Sequence, residues 1–346
     1  MTAVGAQTSF VNGVVERVNA RLAELFASKI AIARSTSPEA EQLVSASAEL
    51  TMRGGKRLRP AALYAGFVAV DAAGDPSRTL DVSAALELLQ TYFLIQDDWM
   101  DGDEQRRGGP SVHAAFAHAR GNAQLGASLA ILASDLMSGF AWELIASAPF
   151  PERRLRQALA AFGQMHFEVV CGQQLDLLGH TEVALVHNLK TGSYTVRGPL
   201  RLGALLADAG AEQLAALERF GAPLGLAFQL RDDLLGAFGS ASATGKPVGN
   251  DLRAGKRTAL LSEARALLSS SGLAVVDAVA GKSDASDAAV ARATEVLLGS
   301  GVRERLEAKI ATLLGEAREA LRRAPLSREG TAMLDALATA LAMRDS

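Results

Sequence analysis

From Ala84 to Ile95 the chain reads AALELLQTYFLI, with one charge in twelve residues, and it then breaks into DDWMDGDEQRR at 97–107. A helix that is apolar on almost every side cannot lie on a surface, so this one is predicted to sit in the middle of a helical bundle. Its acidic end is the harder feature to accommodate. Asp97, Asp98, Asp101, Asp103 and Glu104 crowd together, and Arg106 and Arg107 follow at once. On a helix Asp97 and Asp101 stand at i and i+4 on one face, where two charges about 6 Å apart at an effective dielectric near 20 repel by roughly 3 kcal/mol. The C-terminal end of the helix dipole disfavours anions as well. A divalent cation between the carboxylates reverses both penalties. Oxygen ligands with no His or Cys beside them suit Mg²⁺, with Mn²⁺ as the alternative. A calcium-binding EF-hand loop fits poorly, because Gln105, Arg107 and Gly109 stand where further oxygen ligands are needed. A bare DDxxD also arises by chance at solvated helix ends; the apolar helix running into this one weighs against that reading.

The rest of the chain is consistent with helix throughout. Ala, Leu, Glu and Arg dominate its 346 residues and prolines number only 10, which favours helix over strand. Apolar residues at helical spacing predict helices over 11–33, 81–101, 123–147, 152–178, 212–235, 286–299 and 301–323. Ser37 and Pro38 end the first, Asp81 is a candidate N-cap of the second, and Pro223 should start or kink a helix. No repeat and no Pro/Gly/Ser linker divides the chain, so a single all-α domain over 1–346 is expected. The net charge of −3 gives no global field for nucleic acid or an anionic membrane. One cysteine, Cys171, rules out an intramolecular disulfide framework. No secretory signal and no long purely apolar run is visible, so no membrane span and a cytoplasmic location are expected.

The acidic grammar recurs in PLGLAFQLRDDLLG, 223–236, where Asp232 and Asp233 close a second apolar helix and Gln229 lies one turn before Asp232. Either cluster alone is weak; two together can hold several divalent ions. Basic groups punctuate the same chain. Arg53, Lys56, Arg57 and Arg59 lie in RGGKRLRP, and Arg106 and Arg107 follow the first cluster. Lys190 opens KTGSY, and Lys246, Arg253, Lys256 and Arg257 follow the second cluster. Glycines let backbone approach an anion, Arg grips phosphate oxygens bidentately and Lys supplies a point charge. A basic tetrad by itself is usually solvated surface. Beside carboxylate–metal sites it becomes a recipe for binding diphosphate. No P-loop is present, and an apolar bundle next to the diphosphate implies an attached hydrocarbon.

In this combination the chain resembles the trans-isoprenyl diphosphate synthases of the polyprenyl synthetase family. The matching motifs occur in the family's order: GGKRLRP, LLQTYFLIQDDWMDGDEQRRGGP, GQQLD, KTGSY, FQLRDD and TGKPVGNDLRAGKR, spanning roughly residues 50–260. The resemblance implies an all-α bundle of long helices around a central apolar cavity, of isoprenoid synthase type, and a homodimer. It implies that Asp97 and Asp101, with Asp98 in the same cluster, bind two Mg²⁺ ions and Asp232 a third, supported by Asp233, Gln229 and Asp251. Arg106, Lys190, Lys246 and Lys256 would hold an allylic diphosphate, and Lys56, Arg59, Gln90 and Arg107 isopentenyl diphosphate. Thr191 and Gln229 would steady a carbocation. The family chemistry of ionisation, condensation and elimination passes its proton to the departing diphosphate, so His113 and His166 are expected to be structural or peripheral.

The second motif departs from the family's DDxxD, with Gly236 at the third acid, and the basic C-terminal tail of some short-chain members is missing. Tyr92 and Phe93, five and four residues before Asp97, would meet a growing hydrocarbon as a floor. Bulk at both positions resembles farnesyl diphosphate synthases, so a C15 product is expected, with C20 as the rival. A class I terpene cyclase ranks lower, since NDLRAGKRT lacks the hydroxyl and acid of that class's second metal motif. A non-catalytic partner subunit ranks lower too, since the aspartates and lysines are intact.

Overall fold

The computed structural model describes residues 3–238, 250–253, 255, 258–282 and 284–342, with backbone only at 3–9, 250, 251 and 342. Helices dominate. In chain order they begin with α1 (Ala3–Thr36), α2 (Pro38–Met52), α3 (Leu58–Val70) and α4 (Leu80–Asp101), followed by α5 (Val112–Arg120), α6 (Ala123–Ala146) and α7 (Glu152–Leu177). After α8 (Val183–His187) and a π-helix at Asn188–Arg197 come α9 (Gly198–Leu206) and α10 (Ala211–Phe238). Further helices span Asn250–Arg253, Ala259–Leu267, Ser270–Asp277, Asp287–Gly299, Val302–Leu321 and Arg328–Ala342. The only described strands form a hairpin, β1 (Gln105–Arg106) with β2 (Gly109–Pro110), in which Arg106 stands opposite Gly109. The chain falls into two compact units. One comprises Met1–His166, Gly198–Leu217 and Pro325–Leu337; the other comprises Phe167–Arg197, Glu218–Ala324 and Ala338–Ser346.

The helix boundaries follow from local chemistry. Ser37 accepts a hydrogen bond from the Ala40 amide at 3.1 Å and Pro38 sits at the first helical position, so the expected break becomes the start of α2. Asp81 is not the N-cap of α4, as the sequence suggested. Thr79 holds that position, and Asp81 lies in the first turn, where it accepts from Arg21 at 2.6 Å. Pro223 does not start a helix either; α10 continues through it. The end of α4 is sharply defined. Gly102 adopts φ 69° and the Asp103 amide donates back to the Asp98 carbonyl at 2.8 Å. This Schellman closure fixes which turn carries the acidic cluster.

In the first unit the predicted central helix is buried from Val82 to Thr91. It packs against α6, which also covers α5. Among the described residues α6 is the one helix long and apolar enough to cross a membrane, although no purely apolar run of that length exists. Glycines set the contact of α3 with α9. A Cβ on Gly203 would lie 2.0 Å from the Leu63 carbonyl oxygen, and one on Gly66 would lie 2.5 Å from that of Leu200. In the second unit one face of α10 joins a core of Leu230, Leu234, Val302, Leu306 and Ile310. Arg231 clamps α10 to helix Val302–Leu321 with a bidentate pair to Glu307 at 2.6 and 2.7 Å.

Both atoms facing Gly203 at closest range are backbone, which cannot yield as a flexible side chain would. Gly203→Ala should therefore cost about 1–3 kcal/mol through overpacking. Urea denaturation should show a lower midpoint with an unchanged slope; an unchanged midpoint would refute the close approach.

Candidate active site

The basic half of the site is built around a cation that faces inward. Arg57 and Glu87 are almost fully buried and pair at 2.6 Å. Arg57 also donates to Asn19 Oδ1 at 2.9 Å and to the Thr51 carbonyl at 2.8 Å. One guanidinium thus holds α1, α2 and α4. Its backbone is left-handed at φ 47°, as is that of Arg107 at φ 52°. Non-glycine residues rarely adopt this region, at a cost of order 1 kcal/mol or more, and they cluster at functional sites. Gly55, at φ 142°, is needed for a further reason: its Cβ would lie 3.3 Å from Arg107 Nη2. The turn of RGGKR and the turn of the hairpin therefore touch.

Arg53 and Arg57 of RGGKRLRP are committed to structure. Arg57 serves the buried network, and Arg53 bonds Glu49 and the hairpin carbonyls. Lys56 is exposed and Arg59 half-buried, and these are the two that the sequence assigned to diphosphate. Gln90 is buried, one turn beyond Glu87 on α4. Burial, together with the neighbouring charges of Arg57, Arg59 and Arg106, pushes the Arg107 guanidinium below its ordinary range, against the pull of Glu87. A cluster of cations is a ready receptor for a polyanion.

The acidic half lies on the last turn of α4. Asp98 is fully buried and accepts from Arg106 Nε at 2.6 Å, with a second contact from Nη2. The same guanidinium lies 3.5 Å from Asp97 and 3.5 Å from Asp103. Burial pulls Arg106 down, but Asp98, Asp97 and Asp103 outweigh it and hold its pKa above the ordinary value. Asp97 is half-buried and Asp101 exposed. Among the described residues no three His, Cys, Asp or Glu side chains converge to hold a metal unaided. That donor set still fits Mg²⁺, which takes one or two carboxylates and completes its shell with water and substrate phosphate.

Above the acids, Tyr92 and Phe93 meet edge to face at 5.0 Å, and His166 packs on both at 5.0 and 5.4 Å. Burial lowers the His166 pKa. His113 is likewise lowered by burial, with Glu104 and Asp103 pulling the other way, and bonds Ser111 at 3.1 Å.

In the second unit Lys190 and Thr191 sit on the π-helix, a rare form frequent at functional sites. Lys190 donates to Asp176, the acid of GQQLD, at 2.7 Å. A Cβ on Gly172 would lie 2.5 Å from the Lys190 nitrogen, so the two elements approach through glycine. Asp233 is buried, and each of its oxygens accepts a bond at 2.8 Å, one from Gln229 and one from the Ala259 amide. It anchors Gln229 and the start of helix Ala259–Leu267. Asp232 is half-buried. Lys246 and Lys256 lie outside the described residues, as does the side chain of Asp251.

The Polyprenyl synthetase family model matches residues 40–297. The chain belongs to the polyprenyl synthetase family of prenyltransferases. Among curated relatives, a geranylfarnesyl diphosphate synthase of Aeropyrum pernix is 33% identical over 295 residues, covering 82% of this chain and 88% of that protein. A farnesyl diphosphate synthase of Geobacillus stearothermophilus is 38% identical over 229 residues, covering 62% and 73%. Among solved structures, a Corynebacterium glutamicum geranylgeranyl pyrophosphate synthase, complexed with isoprenyl diphosphate and magnesium, superposes with a TM-score of 0.90 at 32% identity, over 96% of this chain and 99% of that one. The all-α fold expected from the sequence is the fold of these synthases.

Glu87 escaped the sequence reading, although an acid alone inside an apolar run was its signal. His187 carried no such signal. Burial lowers its pKa to about 4, helped by Lys190 and opposed by Asp176. A base that is harder to protonate folded than unfolded contributes stability above its unfolded pKa near 6.5, and that stability is lost as pH falls towards 4. The full loss is up to about 3 kcal/mol. Between pH 6.5 and 4 the wild type should lose that much more stability than His187→Gln in chemical denaturation. Parallel curves would refute a buried neutral imidazole.

Proposed function

We propose that the chain is a Mg²⁺-dependent trans-prenyl diphosphate synthase. It would join isopentenyl diphosphate to an allylic diphosphate, dimethylallyl or geranyl with farnesyl as a further candidate, by ionisation, condensation and elimination. The observation that carries this reading lies in the first unit: an oxygen-only aspartate turn whose Arg106 borders a cluster of Arg57, Arg59 and Arg107. Asp97, Asp98 and Asp101, with Asp232, Asp233 and Asp251 from the second motif, are the residues that would hold three Mg²⁺ ions. When bound, magnesium supplies positive charge against the diphosphate as its bond to the allylic carbon breaks. Arg106, Lys190, Lys246 and Lys256 grip the allylic diphosphate, and Lys56, Arg59, Gln90 and Arg107 the isopentenyl diphosphate. Thr191 and Gln229 turn oxygen dipoles to the developing cation. The proton of the final elimination passes to the departing diphosphate, so no histidine base is required. Asp233 would also hold Gln229 in place, given the bonds it makes.

The two units form one polyprenyl synthetase domain in this reading, supported by a family match that runs through segments of both. A cytoplasmic homodimer is its setting; the exposed Leu125, Ile131 and Leu132 on α6 support a partner copy.

Product length follows from the aromatic cluster. Tyr92, Phe93 and His166 fill one volume, and a prenyl chain cannot share it. This supports a C15 product. The likeness to a geranylgeranyl pyrophosphate synthase favours C20 as a second reading. Purified protein given isopentenyl diphosphate and each allylic diphosphate should yield a linear prenyl diphosphate, lost with EDTA and restored by Mg²⁺. A cyclised hydrocarbon or no product would overturn the assignment. Tyr92→Ala with Phe93→Ser should add one or more C5 units by mass spectrometry; unchanged length would exclude these rings as the floor.

A further inference from the structure

We propose that Arg53 is a positioning residue: it bolts the hairpin bearing Arg106 and Arg107 to the RGGKR turn, so that both motifs meet diphosphate as one preset surface. The inference rests on the diphosphate reading above and assigns a role to the one cation of RGGKRLRP that neither substrate nor the buried network uses. Arg53 is the C-cap residue of α2, one position before the Gly-Gly turn. Its Nη1 donates to the Pro110 carbonyl at 2.6 Å and reaches the Arg106 carbonyl at 3.4 Å. Its Nη2 donates to Glu49 at 2.6 Å, which neutralises the charge and fixes the side chain from α2. The guanidinium therefore grips both strands of the hairpin, at the carbonyl of Arg106 on one and of Pro110 on the other.

Gly109 completes the device. It stands opposite Arg106 in the hairpin. A Cβ there would lie 2.5 Å from Arg53 Cζ and 2.7 Å from Nη1. Its backbone is not in the left-handed region, so the space taken by Arg53, and not backbone strain, is what requires glycine. A two-residue hairpin with few bonds of its own is marginal in water. The external clamp supplies the rigidity that places the Arg106 and Arg107 side chains before substrate arrives, which cuts the ordering cost of binding.

Three variants test this: Arg53→Met keeps the stem without donors, Arg53→Lys keeps the charge and one donor point, and Gly109→Ala displaces the guanidinium while leaving Arg53 in place. For Arg53→Met and Gly109→Ala, KM for isopentenyl diphosphate should rise about tenfold with kcat within about twofold, and Arg53→Lys should recover part of the loss. Product length should not change. A merely structural role would lower the unfolding midpoint and kcat while KM stayed at the wild-type value, and that result overturns the proposal. Calorimetric titration with inorganic diphosphate gives a readout independent of turnover: weaker binding in both variants supports the clamp, and equal binding refutes it. Should the wild type condense no substrate, the functional reading fails while this titration still decides the role of Arg53.

Discussion

The buried pair of Arg57 and Glu87 is the interaction on which the first unit depends. Both side chains are nearly sealed from water, and three of the guanidinium's donors reach Glu87, Asn19 and the Thr51 carbonyl on three different helices. Losing one member of such a pair typically costs about 3–5 kcal/mol, because a charge is left buried without compensation. Replacing both by apolar residues is often neutral, so the pair earns its place through geometry more than through stability. It holds Arg57 at the entry to α3, where the backbone is left-handed. A hydrogen bond between Thr51 and Thr91 at 2.8 Å continues the same network towards Tyr92.

Charge in this unit is arranged as two opposed clusters sharing a border. Asp97, Asp98 and Asp103 surround Arg106, whereas Arg107, the next residue, lies among Arg57 and Arg59. The change of sign occurs across one peptide bond, and the hairpin turn makes it: Arg107 and Gly108 both have positive φ, so successive side chains diverge. An acidic end that would repel itself in isolation is thereby partly neutralised before any metal binds. In the second unit the corresponding device is local to the π-helix. Lys190 rests on Asp176, and Gly192 meets Gly225 of α10 closely enough that a Cβ on Gly225 would lie 3.3 Å from the Gly192 Cα.

Much of the fold was legible because helix periodicity and capping are local. The apolar run before Asp97, the Ser37–Pro38 break and the helix over 81–101 each follow from neighbouring residues. The misses share one cause. Asp81 looked like an N-cap, but the Pro76–Thr79 turn reaches the helix first and Arg21, sixty residues away, claims the carboxylate. The sequence offers Pro223 as a start or a kink of the helix over 212–235; it is not the start, lying inside Ala211–Phe238, whose described core contacts with Val302 and Leu306 come from the far end of the chain.

The sequence by itself determined the helical class, the two aspartate turns, the basic segments and, through their order, the family. These rest on spacing along one helix or on motif succession, which need no knowledge of distant contacts. Only the tertiary structure decided how alike residues divide their work. Arg53 and Arg57 brace the fold while Lys56 lies exposed; Asp98 and Asp233 are locked by hydrogen bonds while Asp101 lies exposed. The reason is physical. A charged side chain becomes a strut or a ligand according to what burial and long-range partners offer it, and those partners are brought together only by folding.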